Sequence, residues 1–407
     1  MKKEKKLVVY HINTVGNSGS TGRIVEGICK LAYKNNIKCY TAYGRWANTS
    51  ISQLYKIGNK LSIYWHVLLT RLFDKHGLGS YKATVNLIKS ISEIKPDIIH
   101  LHNIHGYYIN YPILFDFLKS NNIPTVWTLH DCWSYTGHCV HYTIKKCDKW
   151  KKECFNCPNL RDYPKSWFID ASNYNYKKKK KYFTQLKNLT IITVSYWLAN
   201  QVKESFLSKY PIIPIYNGVN TDIFSPQKIN KSVYNLKNKF VILGVASVWD
   251  VRKGLHDFIS LANLLDEDFI ILLVGVSKQQ INQLPSNIKA IERTENIKEL
   301  ANLYSISDVY INFSVEETFG LTTIESLACG TPVIVVNSTA LPEIISDNIG
   351  FIIEPHDIYD AKRKIEAIKE KGKKIYSNNC RSYVIKNYKD TDRYQEYINL
   401  YKTLKND

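Results

Sequence analysis

Short apolar runs recur through the first half of the chain, each followed by a stretch where polar and apolar residues mix at helical spacing. LVVYHI (7–12), KCYTAY (38–43), DIIHLHNI (97–104), TVWTLHD (125–131) and LTIITVS (189–195) read as strands, and a helix is expected near residues 24–33. Strands that are apolar throughout are covered on both faces, and strands separated by helices pair in parallel. Prolines and an Asn-Gly turn in PIIPIYNGVNTDIFSP (211–226) read as a linker. A second series follows, at FVILGVAS (240–247), FIILLVGV (269–276), IKAIER (288–293), VYINFS (309–314) and PVIVV (332–336). The pattern predicts an α/β protein of two Rossmann-like, doubly wound parallel-sheet domains, one over residues 1–215 and one over 216–387.

Length agrees, because 407 residues exceed one ordinary core. No apolar run reaches the ~18 residues that a membrane span needs. The first residues, MKKEKKLVVYHI, lack the apolar core and cleavage site of a signal peptide. The odd count of nine cysteines then points to a reducing, cytoplasmic setting, with free or metal-bound thiols over disulfides. A net charge of +19 suits nucleic acid, an anionic membrane surface or an anionic small substrate. The lysine patches at 145–152 and 177–181 stand beside no nucleic-acid-binding signature, so nucleic acid is not expected as a partner. The run at 177–181 reads as a solvated helix face.

Candidate chemistry is densest in NFSVEETFGLTTIESLACGTPVIVV (312–336). An apolar run ends at Asn312, Gly320 permits a tight turn, and Gly330 and Pro332 stop the helix that follows. Glu317 and Glu325, eight positions apart, flank that turn. Carboxylates accept bonds from hydroxyls, and the free N–H groups of a first helical turn hold an anion. The arrangement therefore suits a ligand with both hydroxyls and phosphates. A plainer reading takes Thr322 and Glu325 as a capping box, with the glutamate merely satisfying a backbone N–H. That reading leaves Glu317 and the preceding glycine unexplained.

The string E-x-F-G-x4-E-x-x-A-x-G-x-P-V closely resembles the donor site of family-4 retaining glycosyltransferases, whose two-domain architecture is the glycosyltransferase B fold. The resemblance implies a nucleotide-sugar donor bound in a cleft between the domains. Glu325 would hold its ribose hydroxyls, Glu317 its transferred sugar, and the stretch Phe319, Gly320, Leu321 and Thr322 its diphosphate. Members usually carry an arginine and a lysine near the first strand of this domain. In GVASVWDVRKGLHDFI (244–259) Lys253 fits the lysine, while Ser247 stands where the arginine is usual. Either Arg252 supplies that charge from beside it, or Ser247 donates a weaker hydrogen bond. Cations here would stabilise the charge developing on the leaving nucleoside diphosphate. A surface Arg-Lys pair opening a helix is the plain alternative. The tail at 388–407 has a helical pattern and, as in that fold, is expected to cross back to the first domain.

In the first domain, Gly16, Gly19 and Gly22 follow a strand and precede a helix, a loop that lets amides approach a phosphate. A dinucleotide-binding fingerprint would want GxGxxG and an acid about twenty residues on. Here the spacing is GxxGxxG, and the second strand ends at Tyr43-Gly44-Arg45. By resemblance the loop lies over the donor's diphosphate and the acceptor pocket. His130 matches a family histidine that contacts the sugar. It would position and polarise, since the leaving phosphate can deprotonate the acceptor in the retaining reaction attributed to this family; a strand-end cap is the plainer reading. Alternation puts His100 and His102 on one face, where one or both serve as core histidines.

Cys139, Cys147, Cys154 and Cys157 are spaced C-x7-C-x6-C-x2-C. Two readings stand: a tetrahedral structural zinc site that orders a lysine-rich loop, with Cys132, His138 and His141 in reserve, or unpaired reduced thiols. The string HDCWSYTGHC…CFNCPNLRDYP resembles a bacterial subset linked to colanic-acid and capsule assembly. Transfer in this fold is generally metal-independent, so no cofactor is expected for catalysis. NKLSIYWHVLLTRLFDKHG (59–77) reads either as an interfacial helix on an anionic membrane or as a helix packed on its own core. Together these features predict a cytoplasmic, membrane-peripheral, retaining hexosyltransferase. It would move sugar from a nucleotide-sugar to a glycan or lipid-linked acceptor in bacterial surface polysaccharide synthesis. The alternatives are a sugar-nucleotide epimerase or phosphorylase of the same fold, or a basic zinc-containing nucleic-acid-binding protein.

Overall fold

The computed structural model describes residues 6–236 and 238–406. It comprises two compact units, residues 1–216 with 391–407, and residues 217–390. In the first unit, β1 (Val8–Asn13), β2 (Lys38–Tyr43), β3 (Gln53–Lys56), β4 (Ile98–Leu101), β5 (Thr125–Leu129), β6 (Leu189–Thr193) and β7 (Ile212–Pro214) form one sheet. Its order is β3-β2-β1-β4-β5-β6-β7, parallel throughout. The connections carry α1 (Gly19–Lys34), α2 (Lys60–Phe73), α3 (Tyr81–Ile94), α4 (Tyr111–Asn121), α5 (Ser172–Phe183) and α6 (Tyr196–Lys203).

The second unit repeats the plan. Strands β8 (Phe240–Val245), β9 (Phe269–Val274), β10 (Ile288–Ile291), β11 (Val309–Asn312), β12 (Val333–Val336) and β13 (Gly350–Ile353) pair in parallel in the order β10-β9-β8-β11-β12-β13. Helices α7 (Leu255–Ala262), α8 (Lys278–Ile281), α9 (Ile297–Ile306), α10 (Leu321–Ala328), α11 (Ile358–Lys371) and α12 (Lys373–Tyr388) connect and follow them. In each sheet the strand order reverses once, between β1 and β4 and between β8 and β11, and such switch points are where doubly wound sheets bind ligands.

The last helix, α13 (Asp390–Asn406), belongs to the first unit. Its Tyr394, Tyr397, Ile398 and Tyr401 are buried in the same cluster as Val9, Ile24, Ile28, Ala32 and Ile98. Gly27 of α1 admits this approach, because a Cβ there would lie 2.2 Å from the Tyr394 ring.

Two expectations need correction. Residues 212–214 are not linker but strand β7, paired with β6. A strand ending in proline is tolerated because it lies at the sheet's edge, where Pro214 need not donate. The lysine run is not wholly solvated either. Lys179 is only 1% exposed, and its ammonium donates to the carbonyls of Trp133 and Thr136 at 2.7 and 2.9 Å. The others in the run lie on α5's more open faces. Strand β3, with no buried residue, and strand β13, buried only at its two ends, are four residues each and too short and exposed to be read from sequence.

Candidate functional site

The loops leaving β8 and β11 meet at the switch point of the second sheet. After β8, Asp250 caps a single 3-10 turn, Val251–Lys253. Its carboxylate accepts the Arg252 N–H at 3.0 Å and pairs with the Arg252 guanidinium at 2.6 Å. Arg252 is therefore directed at Asp250, whereas Lys253 pairs with the carboxylate of Glu317. Gly254 makes that reach feasible. Its φ is +74°, and a Cβ would sit 2.4 Å from Cβ of Phe313. The two loops run so close that the Arg252 carbonyl accepts the Val315 N–H at 3.0 Å. Ser247 is exposed, two residues beyond β8.

Glu317 is held from behind: its N–H donates to Thr339 Oγ1 at 3.0 Å, and its carbonyl accepts the Ala340 N–H at 3.2 Å. Gly320, with φ of +99°, opens α10; a Cβ there would meet Leu341 Cδ2 at 2.7 Å. Phe319 beside it is buried, against Tyr388. Because Gly320 itself is the N-cap and no side chain caps α10, the capping-box reading of Thr322 and Glu325 fails. Thr322 Oγ1 instead accepts the Tyr310 O–H at 2.8 Å, and Glu325 accepts the Tyr304 O–H at 3.1 Å. Burial, with Glu325 adding to it, pushes the Tyr304 phenol well above its usual range, so it stays a donor to that carboxylate. The first turn of α10, Leu321 and Thr322 included, presents backbone N–H groups and the positive end of the helix dipole. Loop and helix thus place a lysine, a carboxylate and an anion-holding turn together, with a second carboxylate one turn further into α10.

In the first unit, the glycine loop divides. Gly16 gives its N–H to the Trp46 carbonyl at 3.0 Å and packs on Ala47, so its lack of a side chain serves close packing. Gly19, with φ of +58° and open space around it, begins α1. Gly22 lies within that helix.

His130 follows β5 and lines a small recess with His102, His105, Trp127, Asp131 and Trp133. Its Nε2 is 3.2 Å from His102 Nδ1, and His102 Nε2 is 3.2 Å from His11 Nδ1. Burial pushes the His130 imidazole down to about 4, so the ring is neutral near pH 7 and offers one donor and one acceptor. Burial alone would raise Asp131, but His105, at 2.7 Å, and the Trp133 N–H hold its carboxyl at about 2. This contact between His105 and Asp131, 26 residues apart in sequence, is not legible in the sequence; the His-Asp at a strand end is its only signal. His100 is a satisfied core histidine, set between the Tyr401 hydroxyl at 2.5 Å and Thr128 Oγ1 at 2.8 Å.

Cys139, Cys147, Cys154 and Cys157 line one small pocket, all as free thiols. Among the described residues, the groups whose ligand atoms lie within 4.8 Å of one another are His11, Cys29 and Cys39, and His11, His100 and His102. Both are enclosed in the first unit's core.

The chain is similar to known glycosyltransferases. The family model Glycosyltransferase Family 4 matches residues 52–223, and the model Glycosyl transferases group 1 matches residues 226–389. WcaC of Escherichia coli K12, a glycosyl transferase assigned to colanic acid biosynthesis, is 28% identical over 41% of this chain and 42% of its own length. The O-antigen chain mannosyltransferase RfbU of Salmonella typhimurium is 23% identical over 72% of this chain and 87% of its own. Anabaena HepE, solved in complex with UDP, shares the fold: its TM-score is 0.68 over 98% of this chain and 100% of that one, at 14% identity. Neither an epimerase nor a nucleic-acid-binding reading draws support from these matches. With two doubly wound parallel sheets, a Glycosyltransferase Family 4 region and a Glycosyl transferases group 1 region in succession, the chain is a glycosyltransferase of the glycosyltransferase B fold.

Proposed function

We propose that the protein transfers a hexosyl group, with retention of configuration, from a nucleoside-diphosphate sugar to a glycan or lipid-linked acceptor of a bacterial surface polysaccharide. One observation carries the reading: Lys253 and Glu317 pair beside the uncapped N-terminus of α10, at the switch point of the second sheet. Lys253 and the amides of Leu321 and Thr322 meet the diphosphate, stabilising the charge that grows on it as the glycosidic bond breaks. Glu317, released from the lysine, accepts a hydroxyl of the transferred sugar. Glu325, oriented by Tyr304, accepts the ribose hydroxyls. With the diphosphate's charge met in this way, catalysis calls for no metal cofactor. In the first unit, neutral His130 orients a hydroxyl rather than removing its proton outright.

A thermal-shift screen against UDP-, GDP-, ADP- and dTDP-sugars tests the donor class. At a hundredfold excess over Kd, a ligand stabilises by about 2.7 kcal/mol, a shift of several degrees. Glu325→Ala is expected to abolish the shift of whichever nucleotide responds. An undiminished shift in that variant removes the ribose assignment.

Peripheral membrane attachment fits the outward face of α2. Ile63, His66 and Thr70 face inward, while Leu61, Tyr64, Trp65, Leu68 and Phe73 are exposed. The Trp167 N–H donates to the Arg71 carbonyl at 2.7 Å, bringing exposed Trp167, Phe168 and Ile169 alongside. An aromatic face flanked by Lys60, Arg71, Lys75 and Lys165 suits an anionic interface. No described helix is long and apolar enough to cross a membrane. Co-sedimentation with anionic vesicles at low salt is expected, and Trp65→Ser with Leu68→Ser should lower it. A native protein that stays in the supernatant sinks the attachment.

A further inference from the structure

The segment between β5 and α5 carries two single turns of 3-10 helix, Trp133–Tyr135 and Lys149–Lys151, and otherwise no regular structure. Its cysteines nonetheless converge. The Cys139 and Cys157 thiols face each other within hydrogen-bonding reach, and the Gly137 N–H donates to Cys154 Sγ at 3.2 Å. Only glycine allows that last contact, because a Cβ on residue 137 would meet Cys154 Cβ at 2.7 Å and the Ser172 carbonyl at 2.2 Å.

Two buried polar side chains stand at or beside the pocket. His138, which lines it, is 2% exposed; Asp74 holds its Nδ1 at 2.6 Å, while its Nε2 is buried without a hydrogen-bond partner. The buried ammonium of Lys179 lies 3.6 Å from the Trp133 ring centroid, and its hydrogen bonds go to carbonyls rather than to a carboxylate. A buried ring nitrogen left without a hydrogen-bond partner is costly. Four thiolates around a divalent cation carry a net charge of about −2, and the buried Lys179 amine stands close to Cys139 and Cys154.

We propose that this pocket is a structural zinc site with Cys139, Cys147, Cys154 and Cys157 as ligands. The thiols release their protons to solvent as zinc binds. No three of these donors lie within 4.8 Å of one another, so the ion draws the segment inward. The bound ion cross-links a lysine-rich loop whose first residues, His130 and Asp131, line the first unit's recess.

The test is the zinc content of reduced, full-length protein expressed with zinc and purified without chelator, read by plasma mass spectrometry. About one zinc per chain is expected in the native protein and in Cys29→Ala with Cys39→Ala, against roughly a fivefold loss in Cys154→Ser with Cys157→Ser. The first double variant separates this pocket from the enclosed His11 group. Stripping the native protein with a mercurial and chelator should speed tryptic cleavage at residues 145–152 by about tenfold, and returned zinc should slow it again. A zinc-free native protein, or zinc retained in Cys154→Ser with Cys157→Ser, overturns the proposal. If that variant does not fold, stripping decides: zinc loss without faster cleavage at 145–152 overturns it equally.

Discussion

Lys253→Ala is expected to lower kcat by about a hundred- to a thousandfold at saturating donor, the loss typical of removing one group that stabilises developing charge. The reason lies in what the lysine does before and after the donor binds. In the free protein it neutralises Glu317, with 23% and 18% of the two side chains exposed. A diphosphate then takes over the ammonium, and Glu317 turns to a sugar hydroxyl. Alanine removes the cation from both states, so kcat falls by more than KM rises. It also leaves Glu317 partly buried beside no cation, which costs stability. Lys253→Met with Glu317→Gln is therefore the control that keeps the volume without an orphaned charge. Arg252 should not rescue the single variant, because Asp250 holds its guanidinium. Steady-state transfer assays on the responding donor read the effect. A kcat within threefold of the native value would refute the clamp.

Deleting residues 391–407 is expected to leave the first unit without a cooperative fold. The deletion strips Tyr394, Tyr397, Ile398 and Tyr401 from the core cluster, and it takes the Tyr401 hydroxyl from His100. Large side chains removed from packed cores cost about 3–5 kcal/mol each, so the four together cost about 12 kcal/mol or more. Domain stabilities are about 5–15 kcal/mol in total. The second unit contains none of these residues, so calorimetry should lose one transition and keep another. Two transitions at native temperatures would show that the helix is an accessory.

The architecture was largely legible in the sequence. Strands such as β5 and β6 are buried at every position, so their unbroken apolar runs announced a sheet covered on both sides. Pairs dominated by short, half-exposed segments such as QLYK of β3 were not legible, since their place depends on β2 alongside. In the site, the order of Glu317, Gly320 and Glu325 was readable because a turn and a helix start are written over a few neighbouring residues. The same string left a capping box open; the helix start at Gly320 excluded it, and Tyr304 and Tyr310, reaching in from α9 and β11, take up Glu325 and Thr322 instead.

By itself, the sequence determined which residue types stand at which turns, because glycine, proline and apolar spacing act over one or two turns of chain. Tertiary structure alone decided which charges meet. Lys253 and Glu317 lie 64 residues apart, and Asp74 and His138 likewise 64. Lys179 sits in a run of like residues, yet is the one drawn inward. Whether a side chain is buried, and what neutralises it, is set by neighbours that the chain brings together only on folding. Chemistry at a site depends on those two quantities.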